Sequence, residues 1–203
     1  MHDINEVLVR GTIVNKYTPP QNENMVILTL NVPAKKSEIP NYPKVVFFGA
    51  EAQEAKKYEI YANVEIDASI QTQRKLIDGE KRYYQSVIGK SIKESDRTLS
   101  KAFAGDFGGT YVAPENTVKL KGTIRQARLI ADNVLALTIE TFIDSRHSFV
   151  SCFVYGPKAK TYVAQFPIGT EVAALGEIQT LKKVKDDQTN HYMNVVIKEI
   201  KAV

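Results

Sequence analysis

The feature that most constrains this 203-residue chain is that it reads twice. NEVLVRGTI (Asn5 to Ile13) is matched by NTVKLKGTI (Asn116 to Ile124), an offset of 111. NMVILTL (Asn24 to Leu30) is matched by NVLALTI (Asn133 to Ile139) at 109, and VVFFG (Val45 to Gly49) by CFVYG (Cys152 to Gly156) at 107. VEIDASIQT (Val64 to Thr72) pairs with VAALGEIQT (Val172 to Thr180), and YQSVIGKSI (Tyr84 to Ile92) with YMNVVIKEI (Tyr192 to Ile200), both at 108. Blocks that keep their order while their spacing drifts by a few residues are what duplication of one domain leaves once loop lengths have changed.

Each block alternates apolar and polar residues with the period of a β-strand, as in Val7, Val9, Gly11, Ile13 and again in Val118, Leu120, Gly122, Ile124. The third and fourth blocks are separated by stretches of helical character, EAQEAKKYEI and PKAKTYVAQF. Asp78 and Gly79 signal a hairpin before the last strand of the first repeat, and Asp186 with Asp187 stand at the matching place in the second. Gly11 and Gly122 fall in mid-strand, where glycine marks a bulge or the sharp bend of a closed barrel. Three strands, a short helix and two strands, given twice, predict an all-β chain of two tandem OB folds, each a five-stranded Greek-key barrel.

The segment KESDRTLSKAFAGDFGGTYVAPE breaks the alternation and carries Gly105, Gly108 and Gly109, which predicts an inter-domain linker. The expected organisation is a first domain over 1–92, a linker over 93–115 and a second domain over 116–203. Phe103, Phe107 and Tyr111 suggest that part of the linker packs on a barrel.

The net charge of +4 is distributed unevenly, because residues 116–203 carry 12 basic and 8 acidic groups while 1–92 carry 12 and 11. A polyanionic partner is permitted, chiefly by the second repeat. The absence of a long apolar run or a leader-like N-terminus points to a cytoplasmic protein with no membrane partner. Cys152 lies in FVSCFVY and reads as a packed strand residue. His2, His147 and His191 are scattered, without zinc spacing. With no phosphate-cradling glycine loop, nucleophile elbow or paired carboxylates, the sequence predicts no enzyme and no cofactor.

The ordered motifs resemble the bacterial single-stranded-DNA-binding protein (SSB) family. They are Asn5, Val7, Val9, Gly11 with YPKVVFFG, VEIDASIQT and KRYYQSV, then Asn116, Val118, Leu120, Gly122 with FVSCFVYG, VAALGEIQT and NHYMNVV. The resemblance covers roughly residues 3–92 and 115–201. Gly176 keeps the family glycine where the first repeat has Ala68, the chain has no tryptophan, and it ends in IKEIKAV without the family's acidic tail. The resemblance implies sequence-tolerant binding and protection of single-stranded DNA in replication, recombination or repair. It also implies a homodimer that brings four OB domains together, without tail-mediated partner recruitment.

Single strands are gripped by rings that stack on bases and cations that track phosphates. In the family, one aromatic precedes the third-strand glycine by seven residues and another by one. Tyr42 and Phe48 meet that spacing to Gly49, and Phe149 and Tyr155 meet it to Gly156. A separation of six places each pair on one face of a strand. The alternative is that these rings are core; Phe47, Phe153 and Val154 have opposite or mixed parity. The hairpins after the fourth strands add Arg74, Lys75, Lys81, Arg82 and Tyr83 in the first repeat, and Lys182, Lys183, Lys185, His191 and Tyr192 in the second. Arg10, Lys119, Lys121, Lys35, Lys36 and Lys44 are candidates for extending the groove. Two other readings stay open: a protein-interaction accessory of a replication or recombination complex, and an RNA or mixed nucleic-acid binder.

Overall fold

The computed structural model describes residues 2–33, 39–77, 79–95, 114–185 and 188–203, with the side chains of Lys75, Ile77, Glu80–Arg82, 182–185 and 188–191 also outside the description. The first repeat runs β1 (Ile4–Tyr17), β2 (Met25–Asn31), β3 (Lys44–Phe48), α1 (Gly49–Lys56), β4 (Asn63–Ile77) and β5 (Glu80–Glu94). The second runs β6 (Glu115–Ala131), β7 (Val134–Ile143), β8 (Arg146–Tyr155), α2 (Lys158–Gln165), β9 (Glu171–Lys185) and β10 (Gln188–Ala202). Each repeat therefore gives the predicted three strands, short helix and two strands, and each is an OB fold. Lys35, Lys36, Asp78, the Asp186–Asp187 turn and most of the linker with its three aromatics lie outside the described residues.

Both barrels close in the same way. In the first the order is β2-β3-β5-β4-β1 with β1 returning to β2; in the second it is β6-β7-β8-β10-β9 with β9 returning to β6. Neighbours are antiparallel except the Greek-key pairs, β3 with β5 (Val45 opposite Val87) and β8 with β10 (Cys152 opposite Val195). Matching bulges interrupt the first strand of each repeat, between Ile13 and Asn15 and between Ile124 and Gln126. The mid-strand glycines have a closer purpose. A Cβ on Gly11 would lie 2.4 Å from the Asn31 carbonyl oxygen, and one on Gly122 would lie 2.0 Å from that of Glu140. Only a bare Cα lets the strand cross its neighbour this tightly.

The alternating residues fill the barrels. Val9, Ile13, Leu28, Leu30, Val45, Phe47 and Ile66 are fully buried in the first, as are Ile124, Leu135, Ile139, Val150, Cys152 and Ile178 in the second. Burial without a charge partner pushes the Cys152 thiol well up, so it is inert packing. Among the described residues no helix is long and apolar enough to cross a membrane.

By contacts the chain divides into two compact units that cut across the repeats. One comprises Met1–Glu6, Ile70–Ser86 and Thr117–Val203; the other comprises Val7–Ser69 and Val87–Asn116. The tip of the first repeat's β4–β5 hairpin, hereafter the arm (Ile70–Ser86), thus packs with the second repeat's strands. Asn5 is part of the same unit. Its buried amide donates to the Ile70 carbonyl at 2.8 Å and to Thr141 Oγ1 at 3.1 Å, and accepts from Ile70 N at 2.8 Å.

The repeats solve one core position by opposite volume choices. In the second, Gly176 of β9 faces Ile197 of β10, and the third strand contributes Val154. The corresponding first-repeat residues are Ala68, Gly89 and Phe47. A Cβ on Gly89 would stand 2.1 Å from the Phe47 ring, so the large ring occupies the volume that Ile197 fills in the other barrel. Gly89→Ile should destabilise by about 1–3 kcal/mol through overpacking. Adding Phe47→Val, which recreates the second repeat's pair, should recover most of the loss in thermal unfolding; a double variant no better than Gly89→Ile would refute the volume exchange.

On the outer side of the first barrel, Arg10 is 5% exposed and gives its guanidinium to Glu65, with Nε donating to Oε2 at 2.7 Å. Lys93 binds the other carboxylate oxygen at 2.7 Å. Hydrogen bonds from Lys93 and then Arg10 hold the Glu65 carboxyl below its ordinary value. Folding therefore favours the ionised form. That contribution is complete above the ordinary carboxylate range and is lost as pH falls through the lowered folded-state value. Glu65→Gln should lower Tm at neutral pH, because it removes the carboxylate charge that faces the buried Arg10 guanidinium and the Lys93 ammonium. It should also flatten the fall of Tm below pH about 4; an unchanged acid slope would contradict the assignment.

Candidate nucleic-acid interface

Strand β8 resolves which aromatics are core. Ser148, Val150, Cys152 and Val154 point inward and are buried, while His147, Phe149, Ser151, Phe153 and Tyr155 point outward. The first repeat behaves likewise. Pro43, Val45 and Phe47 face in, whereas Tyr42, Lys44, Val46 and Phe48 share the outer face. Tyr42 precedes β3 but still lies along the ladder, since Val32 and Asn41 exchange both backbone bonds and Leu30 N donates to the Pro43 carbonyl. The even separation thus puts Phe149 with Tyr155, and Tyr42 with Phe48, on outer faces. Phe48, Phe149 and Tyr155 are all more than 40% exposed. Phe153 joins the outer row rather than the core.

The second repeat carries more rings than the spacing argument finds. Phe142 of β7 stands opposite His147, and Glu140 opposite Phe149. The Phe142 and His147 rings are 4.5 Å apart, His147 and Phe149 are 6.3 Å apart and near-parallel at 17°, and Phe153 and Tyr155 are 6.2 Å apart at 18°. These are favourable aromatic separations. Five rings therefore lie along the outside of one hairpin, which turns at Asp144 and Ser145, both with positive φ as a two-residue hairpin of matching twist requires.

One carboxylate anchors this row. Glu140, with its side chain 12% exposed, accepts from Arg125 Nε at 2.5 Å and lies 2.7 Å from His147 Nδ1. Burial alone would raise its pKa, but hydrogen bonds from Arg125 and His147 overcome that and hold it below the ordinary value. The carboxylate stays ionised and fixes the imidazole between two phenyl rings.

The remaining candidates fall into groups. Arg74 and Tyr83 lie exposed on the arm, Tyr83 at 67%, and Tyr192 lies exposed on β10 opposite Leu181. Lys75, Lys81 and Arg82 are on the arm, and Lys182, Lys183, Lys185 and His191 are on β9 and β10, but their side chains are outside the described residues. Arm, β8, β9 and β10 belong to one compact unit, whereas Tyr42 and Phe48 belong to the other. Arg10 does not extend a groove: its charge is spent on Glu65 and it is buried. Lys119 and Lys121 line a separate cleft of ≈ 380 Å³ floored by Leu120, Ala174 and Ile200, away from the ring-bearing β7–β8 hairpin. Lys44 is exposed on the same strand face as Tyr42 and Phe48.

Sequence reasoning missed Phe142 because it lies on β7, the strand before the aromatic motif, and missed His147 because the spacing to Gly156 counts only Phe149 and Tyr155 on β8. The signal was present in the duplication: the aligned first-repeat residues are Pro33 and Pro40, so an aromatic pair replaces two prolines at the hairpin end.

No family model matches the chain, and no curated protein matches it in sequence. Solved structures do. The wild-type single-stranded DNA binding protein from Thermus aquaticus aligns with a TM-score of 0.65 at 16% identity, over 100% of this chain and 94% of that one. A deletion mutant of the Thermus aquaticus protein aligns with a TM-score of 0.67 at 17% identity, over 100% and 95%. Along its whole length, the chain has the fold of the Thermus aquaticus single-stranded DNA binding protein.

Proposed function

We propose that this chain is a binding protein, not an enzyme, that coats single-stranded DNA without sequence preference and protects it in the cytoplasm during replication, recombination or repair. The observation that carries the reading is the outward row of Phe142, His147, Phe149, Phe153 and Tyr155 on one braced hairpin. Two groups of outward rings on one hairpin face, Phe142–His147–Phe149 and Phe153–Tyr155, are costly in water and mark a surface made to be covered. Ring faces suit any base, which gives stacking without sequence readout, and the lysines and arginines of the arm and of β9 supply charge for phosphates. The Thermus aquaticus proteins that share the fold are single-stranded DNA binding proteins by description, which supports the reading.

The two repeats, 1–92 and 116–203 joined by 93–115, are proposed as its two domains, the second being the stronger binder because it carries the net charge and the longer row of rings. Two barrels per chain fit a homodimer with four OB domains.

Fluorescence anisotropy of labelled oligo-dT, about 35 nucleotides long to span several barrels, tests this with duplex DNA and oligo-U as competitors. Tight binding that duplex cannot displace is expected, falling with salt by about 0.7 log units per log unit for each phosphate neutralised. Equal displacement by oligo-U would redirect the reading to mixed nucleic-acid binding, and no binding at low salt would redirect it to a protein-interaction platform. Replacing Phe149 and Tyr155 together by Ala should cost about 2 kcal/mol or more, at least roughly thirtyfold, and should weaken binding more than replacing Tyr42 and Phe48. Sedimentation should show a dimer; a monomer that binds equally well would remove that part.

A further inference from the structure

At the free side of β8, two backbone amides are met by side chains rather than by a strand. Phe149 N donates to Thr72 Oγ1 at 2.9 Å. Ser151 N donates to Gln85 Oε1 at 3.0 Å, and Gln85 Nε2 donates back to the Ser151 carbonyl at 3.3 Å. Gln85 thus makes, with one amide group, the two-way exchange that a residue of an adjoining strand makes in a ladder. Nearer the hairpin tip, Arg146 Nη1 donates to Gln71 Oε1 at 2.5 Å. The other strand of the hairpin is held too: Asp3 accepts from Phe142 N at 2.8 Å, and Asn5 donates to Thr141. The partner strand β10 reaches β8 at Cys152 and Phe153, beyond these contacts. The arm therefore closes the stretch that carries His147, Phe149 and Ser151.

We propose that Gln85 and Thr72 are positioning residues for single-strand binding, making the arm of the first repeat and strand β8 of the second one binding element. The inference rests on the reading in the preceding section. Along a strand, side chains alternate to the two faces while the amides lie in the sheet plane. Fixing the amides of Phe149 and Ser151 therefore fixes where the outward rings stand, without touching them. A strand edge whose amides are satisfied only by water frays more readily, and a ring that must be ordered on binding contributes less affinity than one already in place. The same arm carries exposed Arg74 and Tyr83, in the same compact unit as Phe149. The first repeat's arm thus serves the second repeat's face.

The test uses the full chain with Gln85→Ala, Thr72→Val and Thr72→Ser, read by oligo-dT anisotropy and by hydrogen exchange of the Phe149 and Ser151 amides in the free protein. Gln85→Ala and Thr72→Val should each weaken binding about fivefold, the equivalent of one ordinary hydrogen bond. Amide protection at Ser151 and Phe149 respectively should be lost, the salt slope should not change, and Thr72→Ser should restore both readouts. In the Phe149→Ala, Tyr155→Ala background, Gln85→Ala should cost little. Lost protection with wild-type affinity would overturn the proposal, leaving a brace that only stabilises. Fully multiplicative losses in that background would also overturn it, by making Gln85 a direct contact. If the wild-type chain fails to bind oligo-dT, the single-strand reading falls and takes this inference with it; binding by wild type that neither variant weakens removes this inference alone.

Discussion

The molecule depends on strands that pass over their neighbours with no side chain between them, above all on the first strand of each repeat. At Gly122 the Cα sits so close to the Glu140 carbonyl that a methyl group would lie 2.0 Å from its oxygen, and Gly11 makes the same approach to Asn31. This contact bends the first strand so that it pairs with β7 at one end and β9 at the other, which closes the barrel. It also joins fold to site. Glu140, whose backbone abuts Gly122, turns its carboxylate to Arg125 and His147 and stands opposite Phe149. The crossing that shapes the barrel thus positions the anchor of the aromatic row.

The duplication is a controlled comparison within one molecule. Where the second repeat has Glu140, Arg125, Phe142 and His147, the first has Asn31, Val14, Pro33 and Pro40. Proline lacks an amide proton and cannot extend a ladder. Among the described residues the β2–β3 pairing accordingly ends at the Val32–Asn41 bridge, short of the two prolines. In the second repeat the ladder runs on to Ile143 opposite Arg146 and closes in a two-residue turn. The second repeat, with two fewer residues between its second and third matched blocks, thus carries a longer β-ladder in this hairpin, and rings where the first repeat has prolines. The first repeat uses its charge differently, with Arg10 and Lys93 both committed to Glu65.

What was legible in the sequence follows the range of the interactions. Strand order, helix placement and the sharing of one face by Phe149 and Tyr155 are written in local periodicity, because side chains alternate along a strand. Which of the two faces is buried is not, since β3 carries an aromatic residue on each, Phe47 and Phe48. Closure at Gly11 and Gly122 was legible as a mid-strand glycine, though not the carbonyl that requires it. Arg10 misled because a basic residue on a strand looks the same whether it faces solvent or is buried against a carboxylate 55 positions away. The contacts of Thr72 and Gln85 with β8 span 77 and 66 residues and join side chain to backbone. No period or motif encodes such pairs.

Those long-range contacts bear on why the compact units cut across the repeats. A β4–β5 hairpin longer than its own barrel must place its tip somewhere, and its backbone groups need partners. Here the tip lies in the unit of the second repeat's strands, where Thr72 and Gln85 supply what the β8 edge lacks. An unpaired edge beside a row of exposed rings would be an association-prone surface. Covering it with amide and hydroxyl side chains satisfies the backbone while leaving the ring faces open, which a covering strand with its own bulky side chains would not guarantee. The edge is thereby protected and the rings remain available to a ligand.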